Sequence, residues 1–259
     1  MRLLGVDLAA ADENTAMAIV DSDDGTWTLA ELYHPCSDEK ILASVSVSPD
    51  GSLVGFDCPL GWPRGFGEFL ADHRTTAKRS VPEKNDLIRR LTDARVAELV
   101  RKNTDPPVRL NPLSVSSDRI AVPAFRMARL ERSLTSGATP DRSGAGMIAE
   151  VYPAAALALW ELPHRGYKGP KGRSVRDEIV RGLQDKAGDR LNISRFSRLL
   201  SDNDHCLDAL LCALVTIAVS TGRCLSESTP QSSSERSLAN EEGWIQLPIA
   251  DLATILAPT

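Results

Sequence analysis

Leu3-Leu4-Gly5-Val6-Asp7 decides the reading of this chain: a short apolar run, suited to a buried strand, that stops at an acid. Ala16-Met17-Ala18-Ile19-Val20 follows, then the turn Asp23-Asp24-Gly25, then Thr26-Trp27-Thr28-Leu29-Ala30. Strand-like runs on either side of Asp-Asp-Gly predict a β-hairpin. Ser52-Leu53-Val54-Gly55-Phe56 reads as another buried strand and again ends on an acid, Asp57. Met147-Ile148-Ala149 repeats the pattern and runs into Glu150.

Helical periodicity fills the rest. It is expected at Lys40 to Val47, Leu87 to Val100, Ala154 to Trp160 and Arg173 to Asp185. The clearest case is Asp204 to Thr221, where Leu207, Leu210, Leu211, Leu214, Ile217 and Ala218 form an apolar stripe. Ser201, Asp202 or Asp204 can cap its start and Gly222 stops it. The Pro-, Gly-, Arg- and Ser-rich stretch 61–145 reads as a helical and loop insertion between core strands. Ser226 to Asn240 reads as a mobile loop, and Gly243 to Pro248 as a last edge strand. The expected architecture is one α/β domain over 1–259. Its mixed, hairpin-led sheet with flanking helices is built from a core of 1–60 and 146–259.

The bulk properties bound the function. No apolar run approaches the ~20 residues needed to cross a bilayer, and Asp7 interrupts the only apolar stretch near the N-terminus, so a cytoplasmic protein with no membrane partner is expected. The five cysteines are scattered with no CxxC pair, which points to reduced structural thiols rather than a zinc site or disulfide framework. The net charge of −5 is uneven. Residues 74–132 hold 14 Lys/Arg against 7 Asp/Glu, and residues 165–198 hold 10 against 4, which leaves the remainder strongly acidic. Such segments either steer a polyanion toward one face or form solvated helix faces with internal pairs.

Asp7, Asp57 and Glu150 share one context, each at or near the end of an inner strand. If those strands are parallel neighbours, the carboxylates converge, and converging carboxylates repel unless a cation is present. Hard oxygen ligands suit Mg²⁺ or Mn²⁺. Asp208, near the start of the long helix, can complete the cluster, with His205 or Asp204 as flanking ligand or proton-transfer group. A single acid ending a strand is commonly a turn residue, and Asp204 alone is better read as an N-cap. The joint pattern is what points to a site.

These residues also carry a resemblance. Gly5-Val6-Asp7-Leu8-Ala9, Gly55-Phe56-Asp57-Cys58-Pro59-Leu60-Gly61, Arg90-Leu91-Thr92-Asp93, Glu150-Val151-Tyr152-Pro153-Ala154 and Asp208-Ala209-Leu210 resemble domain-of-unknown-function family 429 (DUF429), described as predicted nucleases of the RNase H-like superfamily. The resemblance implies an RNase H-like core with Asp7, Asp57, Glu150 and Asp208 at its acidic positions. His205-Cys206-Leu207-Asp208 looks like the His/Asp-x-x-Asp arrangement of RuvC-type resolvases. Activity on nucleic acid, DNA or RNA, is implied, through two metal ions about 3.5–4 Å apart. Arg90 and Asp93 match an inserted motif, either as an ion pair holding the insertion or facing the site. Lys168, Arg89 and Arg90, with Arg74, Lys78 and Arg79, are the expected phosphate-binding groups.

Two rival expectations remain. The first is a phosphotransferase of the actin/sugar-kinase type, which needs a glycine-containing phosphate hairpin after the first Asp. Leu8 to Thr15 has no glycine and carries two acids. The second is a non-catalytic nucleic-acid-binding module of the same fold.

Overall fold

A computed structural model describes residues 1–49, 52–75, 82–116 and 118–258. The fold is α/β, with a seven-stranded mixed sheet and, among the described residues, eleven α-helices. The hairpin forms as β2 (Ala16–Asp23) and β3 (Thr26–Tyr33), antiparallel, with Trp27 opposite Ser22. Asp24 and Gly25 both take positive φ, as the tight turn between twisted strands requires. β2 also pairs antiparallel with β1 (Arg2–Asp7). β4 (Val54–Phe56) and β5 (Ile148–Val151) extend the sheet in parallel from β1. β6 (Leu191–Asn192) and β7 (Ile245–Gln246) close its two edges, giving the order β6-β3-β2-β1-β4-β5-β7. β2 alone runs against the other six.

Alternation along the strands divides the core. Leu4, Val6, Met17, Ile19, Val54, Phe56 and Ile148 pack on one face with Ile41 of α1 (Asp38–Ser46) and Met127 and Leu130 of α5 (Asp118–Leu134). Leu3, Ala16, Ala18, Val20, Ala149 and Val151 face the other way. There they meet α9 (Asp204–Ser220), backed by α6 (Pro153–Leu159), α7 (Arg173–Ala187), α8 (Ser197–Asp202) and α11 (Leu252–Ile255). α9 is buried on every side from Cys206 to Ala218, so the stripe seen in the sequence is part of a wholly enclosed central helix. Its N-cap is Asn203, whose side chain accepts from the Cys206 N–H; Asp204 is the first helical residue.

Between β4 and β5 run α2 (Arg64–His73), α3 (Lys84–Ile88), α4 (Leu91–Lys102) and α5. The expected helix over 87–100 is broken at Arg89–Arg90. Asp93 accepts the Arg90 backbone N–H and so starts a new helix rather than letting the old one continue. The stretch 226–240, expected to be a mobile loop, instead contains most of α10 (Ser233–Glu242). Ser232 caps that helix by accepting from the Glu235 N–H, and Arg95 pairs with Glu235 at 2.8 Å. Among the described residues no helix is long and apolar enough to cross a membrane.

Candidate metal centre

Register brings the acids together. Val6 pairs with Phe56 across β1 and β4, so Asp7 and Asp57 leave adjacent parallel strands at the same level, and the Asp57 N–H donates to the Val6 carbonyl at 2.9 Å. By the two-residue alternation they share the α9 face with Gly5 and Gly55. Those glycines set how near α9 lies. A methyl on Gly5 would collide with the backbone of Ala209 and Ala213, and one on Gly55 with Thr216. The close approach carries Asp208, in the second turn of α9, onto the strand ends. One carboxylate oxygen each from Asp7, Asp57 and Asp208 lies within 4.8 Å of the other two. Such an all-oxygen set could hold a divalent metal ion.

The surroundings fit a cation. Asp208 is fully buried, accepts from Tyr167 Oη at 2.9 Å and is paired with Lys168 Nζ. Burial and the Asp7 charge push the Asp57 carboxyl up to about 7, against the pull of Lys168. The acids therefore carry the mutual repulsion that a bound cation relieves.

His205 Nδ1 lies 2.8 Å from Asp7 Oδ2, and that hydrogen bond raises the imidazole above its ordinary pKa despite burial. Its ring stacks on His34 at 5.7 Å, and burial together with the neighbouring His205 lowers the His34 pKa. Asp204 does not join the converging acids; it accepts the Gly169 N–H at 3.1 Å, and against burial that bond with the nearby His205 and Lys168 charges holds its carboxyl below the usual value.

Glu150 departs from expectation. It pairs with Phe56 in register, one residue short of the level of Asp57, so it sits on the face opposite α9. There Arg90 grips it with Nη1 to Oε2 at 2.7 Å and Nη2 to Oε1 at 2.6 Å, and the Leu60 N–H donates to Oε2 at 3.0 Å. Glu150 is therefore paired with an arginine and does not join the group of Asp7, Asp57 and Asp208 whose oxygens converge. The same geometry corrects the reading of Arg90 as a phosphate ligand: it is buried, bonded also to Asp93 and the Glu242 carbonyl, and held charged by both carboxylates against desolvation. Arg89 is exposed and lies away from the acids, in a separate cleft with Arg64 and Asp86. Lys168 does reach the cluster, through Asp208. Lys78 and Arg79 lie outside the described residues.

A cavity of about 380 Å³ opens beside Asp7 and Asp57. A family model described as "Protein of unknown function (DUF429)" matches residues 5–234, which takes in the end of β1, the hairpin and all three converging acids. The chain is a member of the DUF429 family. Searches of curated proteins and of solved structures return no match.

Sequence reasoning missed two residues that shape this DUF429 site. Arg126 ties the loop after β1 in place, donating to the Ala9 carbonyl at 3.0 Å and Thr15 Oγ1 at 2.7 Å while pairing with Asp12 and Asp38. Arg176, buried on α7, donates to the carbonyls of Tyr167, Gly169, Ser201 and Asp202, fixing the loop that presents Tyr167 and Lys168. Arg126's partners lie about ninety residues or more away and half of Arg176's about 25 away, and the available signal was an arginine among apolar helix positions.

Proposed function

We propose that this protein is a divalent-metal-dependent hydrolase of phosphodiester bonds, a nuclease on an RNase H-like core. The observation that carries the reading is the convergence of Asp7, Asp57 and Asp208 at the ends of two parallel strands. A hairpin feeding the centre of a mixed sheet, with helices on both faces, is the layout expected of that core. With Glu150 committed to Arg90, the acids suit one ion rather than two.

An ion such as Mg²⁺ or Mn²⁺ held by the three carboxylates would polarise a phosphate oxygen and offset the charge building there. The chain's own groups complete the chemistry. Asp7 accepts a hydrogen bond from the His205 Nδ1–H, which leaves Nε2 as the basic nitrogen able to take a proton from an attacking water. Lys168 sets a positive charge beside Asp208, suited to a phosphate oxygen. Tyr167 and Arg176 keep that loop in place.

The test is cleavage of a panel of DNA and RNA structures with Mg²⁺ or Mn²⁺, beside calorimetric titration of the metal into the wild type and Asp7→Asn. Metal binding and cleavage that both collapse in Asp7→Asn are expected. Cleavage equal to wild type in that variant would sink the proposal.

A further inference from the structure

The cavity beside the acids is not lined for gripping a phosphate backbone. Apart from Asp7, Asp57 and the paired Glu150 and Arg90, its walls are largely apolar, with Pro112, Leu113, Ile120, Pro123, Tyr152 and Ile245 among them. Among the described residues the one cation in its lining is Arg90, whose guanidinium is consumed by Glu150, Asp93 and Glu242. A flat, largely apolar group fits such walls, and the cavity's volume is at the small end for ligand sites.

Helix α5 continues the surface outward. Ile120 and Pro123 form the cavity wall, while Val122, Phe125, Arg129 and Arg132 fall at helical spacing on the opposite, exposed side. Phe125 is 58% exposed yet already stacked on Trp62, with ring centroids 5.5 Å apart. Arg129 and Arg132 follow one and two turns on, with no carboxylate partner among the described residues. Arg126 on the inner side has two. A helix that buries one arginine in ion pairs and leaves the next two free beside an exposed aromatic pair offers stacking and positive charge in sequence along one line.

Resting on the nuclease reading, we infer that the substrate is single-stranded or locally unpaired nucleic acid. One unstacked base enters the apolar cavity, a base further along the strand stacks on Phe125 and Trp62 across α5, and the following phosphates run along Arg129 and Arg132. A continuous duplex offers neither a free base for the cavity nor an open face for the aromatic pair.

The test is fluorescence anisotropy of the full chain with short fluorescein-labelled single strands and duplexes of DNA and RNA. It is run in EDTA and again in Ca²⁺, so that binding is read without cleavage. Single strands should bind more tightly than duplexes. Phe125→Ala should weaken single-strand binding about 10-fold. The Arg129→Ala/Arg132→Ala pair should flatten the logarithmic salt dependence by roughly 1.4, at about 0.7 for each phosphate left without its arginine. All three residues are exposed, so unchanged circular dichroism is expected. Duplex binding as tight as single-strand binding, or a Phe125→Ala chain that binds like wild type, overturns the inference. Single-strand binding with these dependences but no metal-dependent cleavage leaves it standing and overturns the nuclease reading. Cleavage abolished by Asp7→Asn with duplex preferred does the reverse.

Discussion

Gly5 on β1 lies against the backbone of Ala213 on α9 with no space for a side chain between them. Two buried backbones cannot move apart without disturbing the sheet on one side and the helices on the other. Gly5→Ala should therefore lower stability by about 2–3 kcal/mol, the upper part of the range for overpacking a dense core. For a chain of this size that is roughly 5–10 °C in Tm. Because the same close approach seats Asp208 over the strand ends, Mn²⁺ affinity should fall with it. Thermal denaturation and metal titration of the one variant check both.

Arg90 and Glu150 form a buried ion pair, extended by Asp93. Truncating either partner leaves a desolvated charge, so Arg90→Ala or Glu150→Ala should cost about 3–5 kcal/mol. Arg90→Met with Glu150→Leu should cost less than the two single changes summed, measured by urea denaturation. Glu150→Gln should leave Mn²⁺ affinity near that of wild type, whereas Asp57→Asn should remove it. A large loss of Mn²⁺ binding in Glu150→Gln would return that acid to the metal site.

Asp57 titrates near 7 in the folded chain against an ordinary value of 3.8. Its folded form therefore holds the proton more tightly than its unfolded form between about pH 4 and 7. Stability of the metal-free protein should fall as pH rises through that window. At pH 8 Asp57→Asn should then melt higher than wild type in EDTA, because the variant carries no charge to desolvate. Added Mn²⁺ should reverse the ranking. A metal-free wild type that gains stability between pH 5 and 8 through this residue would contradict the account.

Lys168 neutralises part of the charge that draws a cation in. Lys168→Met should bind Mn²⁺ more tightly, by roughly twofold to fivefold given that the ammonium is half exposed. Any turnover should drop, because the phosphate loses its cation. Calorimetry and single-turnover cleavage separate the two effects.

The legibility of the chain follows the range of the forces involved. Asp7, Asp57 and the hairpin turn were readable because apolar runs, strand ends and Asp-Gly turns are local signals. Glu150 was equally visible as an acid ending a strand, but its partner was not: which face a residue takes depends on register against Phe56, nearly a hundred residues away. The break at Arg90 escaped for the same kind of reason. Asp93 supplies a cap that the apolar spacing of Leu87, Leu91 and Val96 runs straight across. Ser232 was a plain N-cap, but the serine-rich composition around it pointed to a loop.

The pleat of β5 acts as a selector between two uses of one carboxylate. Val151, the next residue, lies on the α9 face at the level of Asp57 and lines the cavity with it. An acid at 150 clamps the helices between β4 and β5 to the sheet through Arg90; the same acid at 151 would join the cluster and raise its ligand count to four. The number of carboxylates offered to a metal ion is thus set by a single step along the chain. An exchange of the two side chains, Glu150→Val with Val151→Glu, would trade a mechanical fastening for chemical capacity and leave Arg90 without its counter-charge.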